Sequence, residues 1–205
     1  DKGSQSTIEM QYTTGDRLKF TGISGNYSTV KTDIPSGDKT IIFNFMPCSD
    51  HDNINYPVVE IGTQTWMAIN LKTTTYNNGD LIGTTTPPTL DITAEATPKY
   101  QWAFAGEESN VAVYGRLYTW YAITDSRTVC PTGWYIPTDG DWTILTTFLG
   151  SADFAGGQLK ETGTTHWTTP NTEATDEAGF TALPGGWHRW DGTFNSLGNI
   201  GYWYN

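Results

Sequence analysis

The sequence predicts a fold of the α+β class, in which strands and helices occupy separate stretches of the chain. Strand-like runs dominate the first 57 residues, and the two clearest helical patterns come later, at residues 114–124 and 138–150. Strand and helix do not alternate regularly, and no segment of the sequence repeats. Strands followed by helices, without βαβ units, are typical of the α+β class.

The composition narrows the expected partners and location. The 205 residues include 11 Lys and Arg against 22 Asp and Glu, a formal net charge of −11. This negative charge disfavours binding to the phosphate backbone of nucleic acids, so nucleic acid is not an expected partner. Aromatic residues make up 14% of the chain and predict that it folds. A surface made polar by Thr, Asn, Ser and Gly indicates an exported protein, located outside the cell, at its surface or at the outer membrane.

Membrane insertion and cofactor binding are not expected. No window approaches the roughly 18 apolar residues that a spanning helix needs. Cys48 and Cys130 lack the paired spacing of a zinc or redox site, and no histidine cluster lies near them. The start of the sequence lacks the basic and apolar regions of a signal peptide, so an exported protein would begin here as a mature or shortened form.

The N-terminal segment, residues 1–47, is predicted to form antiparallel strands. Strand-like runs lie at residues 7–12, 16–23 and 40–47, with glycines and the tetrapeptide PSGD as turns. So small a piece cannot bury both faces of a sheet alone. Either it is the end of a larger β-sandwich, or it packs on the rest of the chain. The polar residues 48–57 are interpreted as a linker.

Mixed structure is predicted after the linker. Residues 58–71 predict a hairpin with its turn near Gly62. Residues 72–100 are rich in Thr, Pro, Asn and Gly, which predicts a long loop that is functional or specially packed. Apolar residues at three- and four-residue spacing predict a helix over residues 114–124.

The helix at residues 138–150 carries the clearest end signals. Thr138 is the predicted N-cap, and Asp141 occupies the third helical position of a capping box. Gly150 suits the position of left-handed backbone conformation that follows the last turn of a helix. The predicted apolar stripe of this helix is formed by Trp142, Leu145, Phe148 and Leu149.

Seven ordered motifs carry a resemblance to a known family. They are IGTQTWMAINL (61–71), YNNG (76–79), YGRLYTWYA (114–122), CPTGWYIPTDGDW (130–142), AGGQLKETGTTHW (155–167), ATDEAGFTALPGG (174–186) and GNIGYW (198–203). Together they resemble the Fibrobacter succinogenes major paralogous domain, found in surface proteins of Bacteroidetes-type bacteria. The PTDGDW element is also similar to PTEAEW of the formylglycine-generating and sulfatase-modifying enzymes.

The resemblance implies a C-type-lectin-like fold for residues 58–205, preceded by the antiparallel strands of a partial β-sandwich. The family has no established common activity, and its members look like secreted or surface-attached modules. Such a fold displays variable loops on a fixed scaffold, which makes ligand binding the expected function, although a fold alone does not establish one.

Cys130 matches a cysteine of the family whose partner lies in a later segment. Members run on past the GYW element, whereas this sequence stops at Asn205. The resemblance therefore implies a partner for Cys130 outside this sequence. A buried free thiol and pairing with Cys48 are the alternatives.

Most residues of the motifs are predicted to be structural. Arg116 is expected to form an ion pair with an acidic loop at Asp176 or Glu177. A tryptophan among regularly spaced apolar residues is more often part of a core than of a binding surface. The tryptophans predicted to be core are Trp66, Trp120, Trp134, Trp142 and Trp167.

Catalysis is not expected, because no catalytic pattern can be assembled. The histidines, His51, His166 and His188, are far apart in sequence, and the chain has neither a nucleophile elbow nor an H-E-x-x-H motif. The pair of active-site cysteines that the formylglycine-generating enzymes use is missing from the matching region. An enzyme of that group is kept only as an alternative.

Calcium-dependent sugar binding is not expected either. C-type lectins that use calcium carry EPN or QPD together with WND, whereas residues 169–171 are TPN and residues 190–192 are WDG. A structural calcium ion held by Glu173, Asp176 and Glu177 stays open, because hard oxygen ligands cluster there.

The best candidate for binding is the Gly-rich stretch of residues 185–205. Rigid aromatic residues beside small polar ones are typical of adaptable recognition surfaces. The candidate ligand-binding residues are Trp187, His188, Arg189, Trp190, Phe194, Asn195, Tyr202 and Tyr204. They predict a secreted or cell-surface binding or adhesion module that contacts a glycan or a protein on a cell surface. Residues 1–47 suggest the end of a pilin-like sandwich, and hence display at a pilus tip beside other pilus subunits. The alternative is a structural or assembly subunit of a surface appendage without its own ligand.

Overall fold

The largest sheet has four strands and joins the N-terminal segment to the hairpin after it. In the computed structural model, which describes residues 10–205, its strands are β1 (Leu18–Ser24), β2 (Tyr27–Asp33), β3 (Val58–Ile61) and β4 (Gln64–Met67). They are arranged in the order β1-β2-β3-β4, with β2 and β3 parallel and the other two pairs antiparallel. The predicted hairpin is present, and Gly62 lies in its turn with a φ of +62°.

The N-terminal hairpin packs on residues far along the chain. Arg17 lies 2.9 Å from Glu177, and Lys19 lies 2.9 Å from Asp176. The hydroxyl of Thr32 donates to the carbonyl oxygen of Glu177 at 2.6 Å. The N-terminal hairpin therefore packs on the rest of the chain, and its membership of a larger β-sandwich stays a prediction.

The predicted strand over residues 40–47 is wrong, because this run has no strand partner among the described residues. The segment is held instead by side chains: the hydroxyl of Thr29 donates to the carbonyl oxygen of Asn44 at 2.6 Å. The ring of Phe43 fills the space beside Gly22, where an added Cβ would lie 2.5 Å from it. The predicted strand at residues 7–12 begins outside the described residues, and residues 10–12 have no regular structure.

The middle of the chain is built from very short elements: β5 (Gln101–Trp102), α1 (Val111–Tyr114), β6 (Leu117–Tyr118) and α2 (Trp120–Ile123). The predicted helix over residues 114–124 is therefore wrong. Gly115 breaks it with a φ of +71°, and a Cβ there would lie 2.7 Å from the carbonyl oxygen of Leu71. This close approach places β6 antiparallel to β5 instead of continuing a helix.

The predicted helix near residue 138 is confirmed as α3 (Asp139–Phe148). Thr138 caps it, and the capping box with Asp141 is complete. Gly150 has a φ of +102°, as its position after the helix predicts. A further helix, α4 (Ala152–Leu159), was not predicted.

The last elements are β7 (Gly185–His188) and β8 (Phe194–Leu197), which form an antiparallel pair. Residues 72–100 contain neither a helix nor a named strand, in agreement with the predicted long loop. Among the described residues, no helix is long and apolar enough to cross a membrane.

A buried carboxylate ties the long loop to the residues after α2. The side chain of Asp125 is only 4% exposed, and it contacts Arg127 at 2.9 Å and Lys99 at 2.7 Å. Hydrogen bonds from Arg127 and Lys99 lower the pKa of Asp125. The guanidinium of Arg127 also lies 4.0 Å from the centre of the Tyr76 ring, so one cluster fixes three parts of the chain.

The main hydrophobic core lies between the four-stranded sheet and the helices α3 and α4. Leu145 is fully buried in it, and Trp66 of β4 packs against Trp142 of α3 with ring centres 4.8 Å apart. Phe148, which was predicted to belong to the apolar stripe of α3, is 62% exposed. That prediction is wrong, since Phe148 covers the Gly62 turn from outside.

Candidate functional site

Most tryptophans of the chain meet at one open cavity of about 1010 Å³. We call it the tryptophan cleft. It is bordered by β4, β6, β7, the start of α3 and the C-terminal residues. Eight of the nine tryptophans line it: Trp66, Trp102, Trp120, Trp134, Trp142, Trp187, Trp190 and Trp203.

Separate elements position the walls of the tryptophan cleft. Trp66 comes from β4, Trp142 from α3 and Trp187 from β7. Trp134 precedes α3, and its indole N–H donates to the carbonyl oxygen of Pro47 at 2.9 Å. The cleft is therefore a product of tertiary structure rather than of one segment.

Six of the eight candidate binding residues line the tryptophan cleft: Trp187, His188, Arg189, Trp190, Tyr202 and Tyr204. The other two, Phe194 and Asn195, lie on β8 and are not among the lining residues. The ring of Phe194 packs on Phe104 at 5.4 Å, and the Asn195 amide donates to the Thr193 hydroxyl at 3.2 Å. The structure therefore does not bring these two side chains to the cleft.

The rim of the cleft exposes large aromatic surfaces. Trp190 is 52% exposed, Tyr202 is 66% exposed and Trp120 is 47% exposed. The backbone of Trp190 is nevertheless fixed, because its carbonyl oxygen accepts a hydrogen bond from the Ile92 N–H at 2.7 Å. The rim thus offers solvent-facing rings on a held backbone.

His188 plays a packing role within the cleft. Its ring lies between those of Trp102 and Phe194, with centres 4.1 and 4.3 Å away. Burial lowers the pKa of His188, so the imidazole is neutral at pH 7. A neutral, stacked imidazole adds to the aromatic wall without adding charge.

The C-terminal residues cross the tryptophan cleft and are held by hydrogen bonds. The Tyr204 hydroxyl donates to the carbonyl oxygen of Tyr118, and the carbonyl oxygen of Tyr204 accepts from the Trp142 indole at 3.1 Å. Burial of its hydroxyl raises the pKa of Tyr204. The Trp203 indole donates to the Asn70 side chain at 3.2 Å. Tyr204 therefore has a structural role besides lining the cleft.

The walls of the cleft are almost free of net charge. Its charged lining residues are Arg116, Asp141 and Arg189. Arg116 is neutralised by Glu108 at 2.5 Å, and Asp141 is held by the cap of α3. Arg189 lies 3.6 Å from Asp191. The cleft therefore favours a ligand that is uncharged where it contacts the walls.

The predicted partner of Arg116 is wrong, although the ion pair exists. Arg116 binds Glu108, because the turn before α1 brings Glu108 close to β6. Asp176 and Glu177 pair instead with the N-terminal hairpin. The sequence offered these two carboxylates as calcium ligands, but in the structure they form ion pairs with Arg17 and Lys19.

The predicted core tryptophans divide into three groups. Trp66 is buried, as predicted, while Trp134, Trp142 and Trp167 are half-buried. The prediction for Trp120 is wrong, because the one-turn helix α2 leaves this ring at the rim. Among the described residues, no three acidic, histidine or cysteine side chains are grouped closely enough to hold a metal ion.

Both cysteines are free thiols in the structure, so the pairing of Cys48 with Cys130 is not formed. Burial raises the pKa of Cys48 to about 12 and that of Cys130 to about 11. Cys130 is 6% exposed and lines the tryptophan cleft.

The fold and the cleft define an α+β protein with an aromatic cavity of little net charge between short strands. Over residues 59–205 the sequence matches the Fibrobacter succinogenes major domain, and the chain belongs to this family. No curated protein and no solved structure matches the chain.

Proposed function

We propose that the protein is a secreted or cell-surface binding and adhesion module, without enzymatic activity, that contacts a glycan or a protein through the tryptophan cleft. The observation that carries this proposal is the convergence of eight of the nine tryptophans on one open cavity. Concave, mostly apolar cavities with a few polar groups are the usual form of ligand sites.

The exposed rim supports binding more than a purely structural role. A folded protein gains nothing in stability from keeping large aromatic rings in water, and exposed apolar patches mark interaction sites. Trp190 and Tyr202 are more than half exposed, yet their neighbours are ordered by hydrogen bonds. Rigid aromatic side chains bind at low cost in conformational entropy.

A C-type-lectin-like fold and display at a pilus tip are parts of the same proposal. The N-terminal hairpin shares a sheet with β3 and β4, so it can carry the cleft as one unit at the end of an appendage. The competing proposal, a subunit that only assembles the appendage, requires the aromatic residues of 185–205 to be covered by another subunit.

The test is binding by the whole chain and by a Trp190→Ala variant. Glycan arrays and extracts of surface proteins would serve as sources of ligand. Phe154→Ala is the matched control, since Phe154 is a 64% exposed aromatic residue on α4 that does not line the cleft. We expect Trp190→Ala to weaken binding about thirtyfold with an unchanged melting temperature, and Phe154→Ala to leave binding intact. Equal binding by both variants and the unaltered chain would contradict the proposal.

A further inference from the structure

Three strands border the tryptophan cleft, and within the described part of the chain only the edge of β4 has unoccupied backbone groups on both of its outward residues. The Gly186 N–H of β7 donates to the carbonyl oxygen of Ile200 at 2.8 Å. Within residues 10–205, β4 is the last strand of the four-stranded sheet, β6 pairs only with β5, and β7 pairs only with β8. Every residue of β4, β6 and β7 lines the cleft. Strand edges carry rows of backbone donors and acceptors that can pair with a further strand.

The register of β4 identifies its free backbone groups. The Ala68 N–H donates to the carbonyl oxygen of Pro57 at 2.8 Å, which makes Ala68 a hydrogen-bonded position of the antiparallel pair. Because these positions alternate along a strand, the backbone groups of Thr65 and Met67 point away from β3. Among the described residues, none forms a backbone hydrogen bond with Thr65 or Met67 on that side.

The outward backbone groups of β6 follow from its register in the same way. The Thr119 N–H donates to the carbonyl oxygen of Tyr100 at 3.0 Å, so the backbone groups of Tyr118 point away from β5. The Tyr204 hydroxyl already occupies the carbonyl oxygen of Tyr118. The Tyr204 hydroxyl thus donates to the carbonyl oxygen to which an added strand would donate. The outer edge of β6 therefore accepts a hydrogen bond in the structure.

We propose that the cleft binds an extended polypeptide segment of another protein, which pairs with the free edge of β4 and inserts alternate apolar side chains between the tryptophans. This inference rests on the proposed function and names the ligand class of the same site. In such strand addition, backbone hydrogen bonds supply affinity and pockets for alternate side chains supply specificity.

The observations favour a peptide strand over an oligosaccharide. The free groups of Thr65 and Met67 have the two-residue spacing that a β-strand partner matches. The walls are nearly uncharged and rich in indole rings, which suits uncharged apolar side chains at every second position. A sugar could stack on the rings and its hydroxyls could bond to single groups of β4, but only a strand pairs with β4 residue by residue at this two-residue spacing.

The direct probe is a fluorescein-labelled peptide of eight residues that alternates Val and Thr, measured by fluorescence anisotropy with the whole chain. Its partner probe has the same sequence with N-methyl groups on alternate residues, which remove the donors of one edge. We expect the first peptide to bind and the N-methylated peptide to bind at least about tenfold more weakly, because each lost hydrogen bond reduces affinity. Equal binding of the two peptides would overturn the inference.

A protein variant tests whether β4 is the strand that pairs with the peptide. Thr65→Pro removes the outward N–H of β4 at a position where an edge strand tolerates proline. Thr65→Val keeps this N–H and is the matched control. We expect Thr65→Pro to weaken binding of the Val/Thr peptide about fivefold or more, and Thr65→Val to leave it unchanged. Equal affinities of the two variants would contradict pairing at β4. If Thr65→Pro does not fold, the comparison of the two peptides decides.

The neutral oligosaccharides cellohexaose and chitohexaose complete the experiment. Binding of either sugar at the cleft, with no binding of the peptide, would overturn this inference while supporting the proposed function. If neither sugar nor peptide binds, this inference is overturned, while the glycan arrays and surface-protein extracts decide the proposed function.

Discussion

The replacement Leu145→Ala tests how α3 is anchored beneath the tryptophan cleft. Leu145 is 0% exposed and packs in the main core with Val59 and Leu149. Removing a fully buried leucine side chain costs the transfer free energy of the lost atoms and leaves a cavity, about 3 to 5 kcal/mol in total. For a chain of this size, 1 kcal/mol corresponds to about 2 to 4 °C, so the melting temperature should fall by about 6 to 20 °C.

The matched control is the same replacement at an exposed site. Leu81 is 75% exposed, so Leu81→Ala should cost less than about 1 kcal/mol. The stability of both variants is measured by thermal unfolding, followed by circular dichroism, and separately by urea titration. Equal stabilities of the two variants would refute the packing of α3 on the sheet. Since α3 also carries Trp142, Leu145→Ala should in addition weaken ligand binding at the cleft.

Three further predictions concern the cap, the buried carboxylate and the thiols. Thr138→Ala removes the capping box and should cost about 1 kcal/mol in urea unfolding; an unchanged midpoint would contradict the cap. The lowered pKa of Asp125 stabilises the fold above its unfolded pKa of about 3.9, and this contribution is lost as the pH falls through the folded pKa. Asp125→Asn should therefore destabilise the protein at pH 7 and do so progressively less as the pH falls from about 4 towards 2; a loss that is equal at pH 7 and pH 2 would be the contrary result. With thiol pKa values of about 12 and about 11, Cys48 and Cys130 should resist Ellman's reagent at pH 8 until urea unfolds the chain, and rapid reaction of the folded protein would contradict their burial.

Local signals predicted the elements whose ends are set by neighbouring residues. Thr138 and Asp141 cap a helix through contacts within four residues, and Gly62 turns a hairpin, so both features could be found in the sequence. The α+β class follows from such elements. The C-type-lectin-like fold stays a prediction.

Elements that depend on distant contacts could not be predicted from periodicity. Gly115 ends a helical pattern because its backbone lies against Leu71, more than 40 residues earlier. The helix α4 contains two glycines, which lower its intrinsic propensity. Gly157 is needed there because a Cβ would overlap the carbonyl oxygen of Glu173. Both features are decided by tertiary structure.

The candidate site was predicted only where its residues are contiguous. The aromatic residues between 185 and 205 stood out as a cluster, and six of the eight candidates line the cleft. Trp66, Trp102 and Trp120 come from separate elements, and nothing in their local sequence shows that they converge with that cluster. Trp66 and Trp120 stand in the family motifs, where they are predicted only as core residues, and for Trp102 the aromatic excess of the whole chain was the only sequence signal.

Amide hydrogen exchange of the whole chain, measured with and without the Val/Thr peptide, shows directly whether a peptide strand pairs with β4 in the tryptophan cleft. If a strand pairs with β4, exchange becomes slower at the amides of Thr65 and Met67 and in the segment around Trp190 when the peptide is present. Unchanged exchange throughout the tryptophan cleft, or protection confined to β1 and β2, would contradict this pairing.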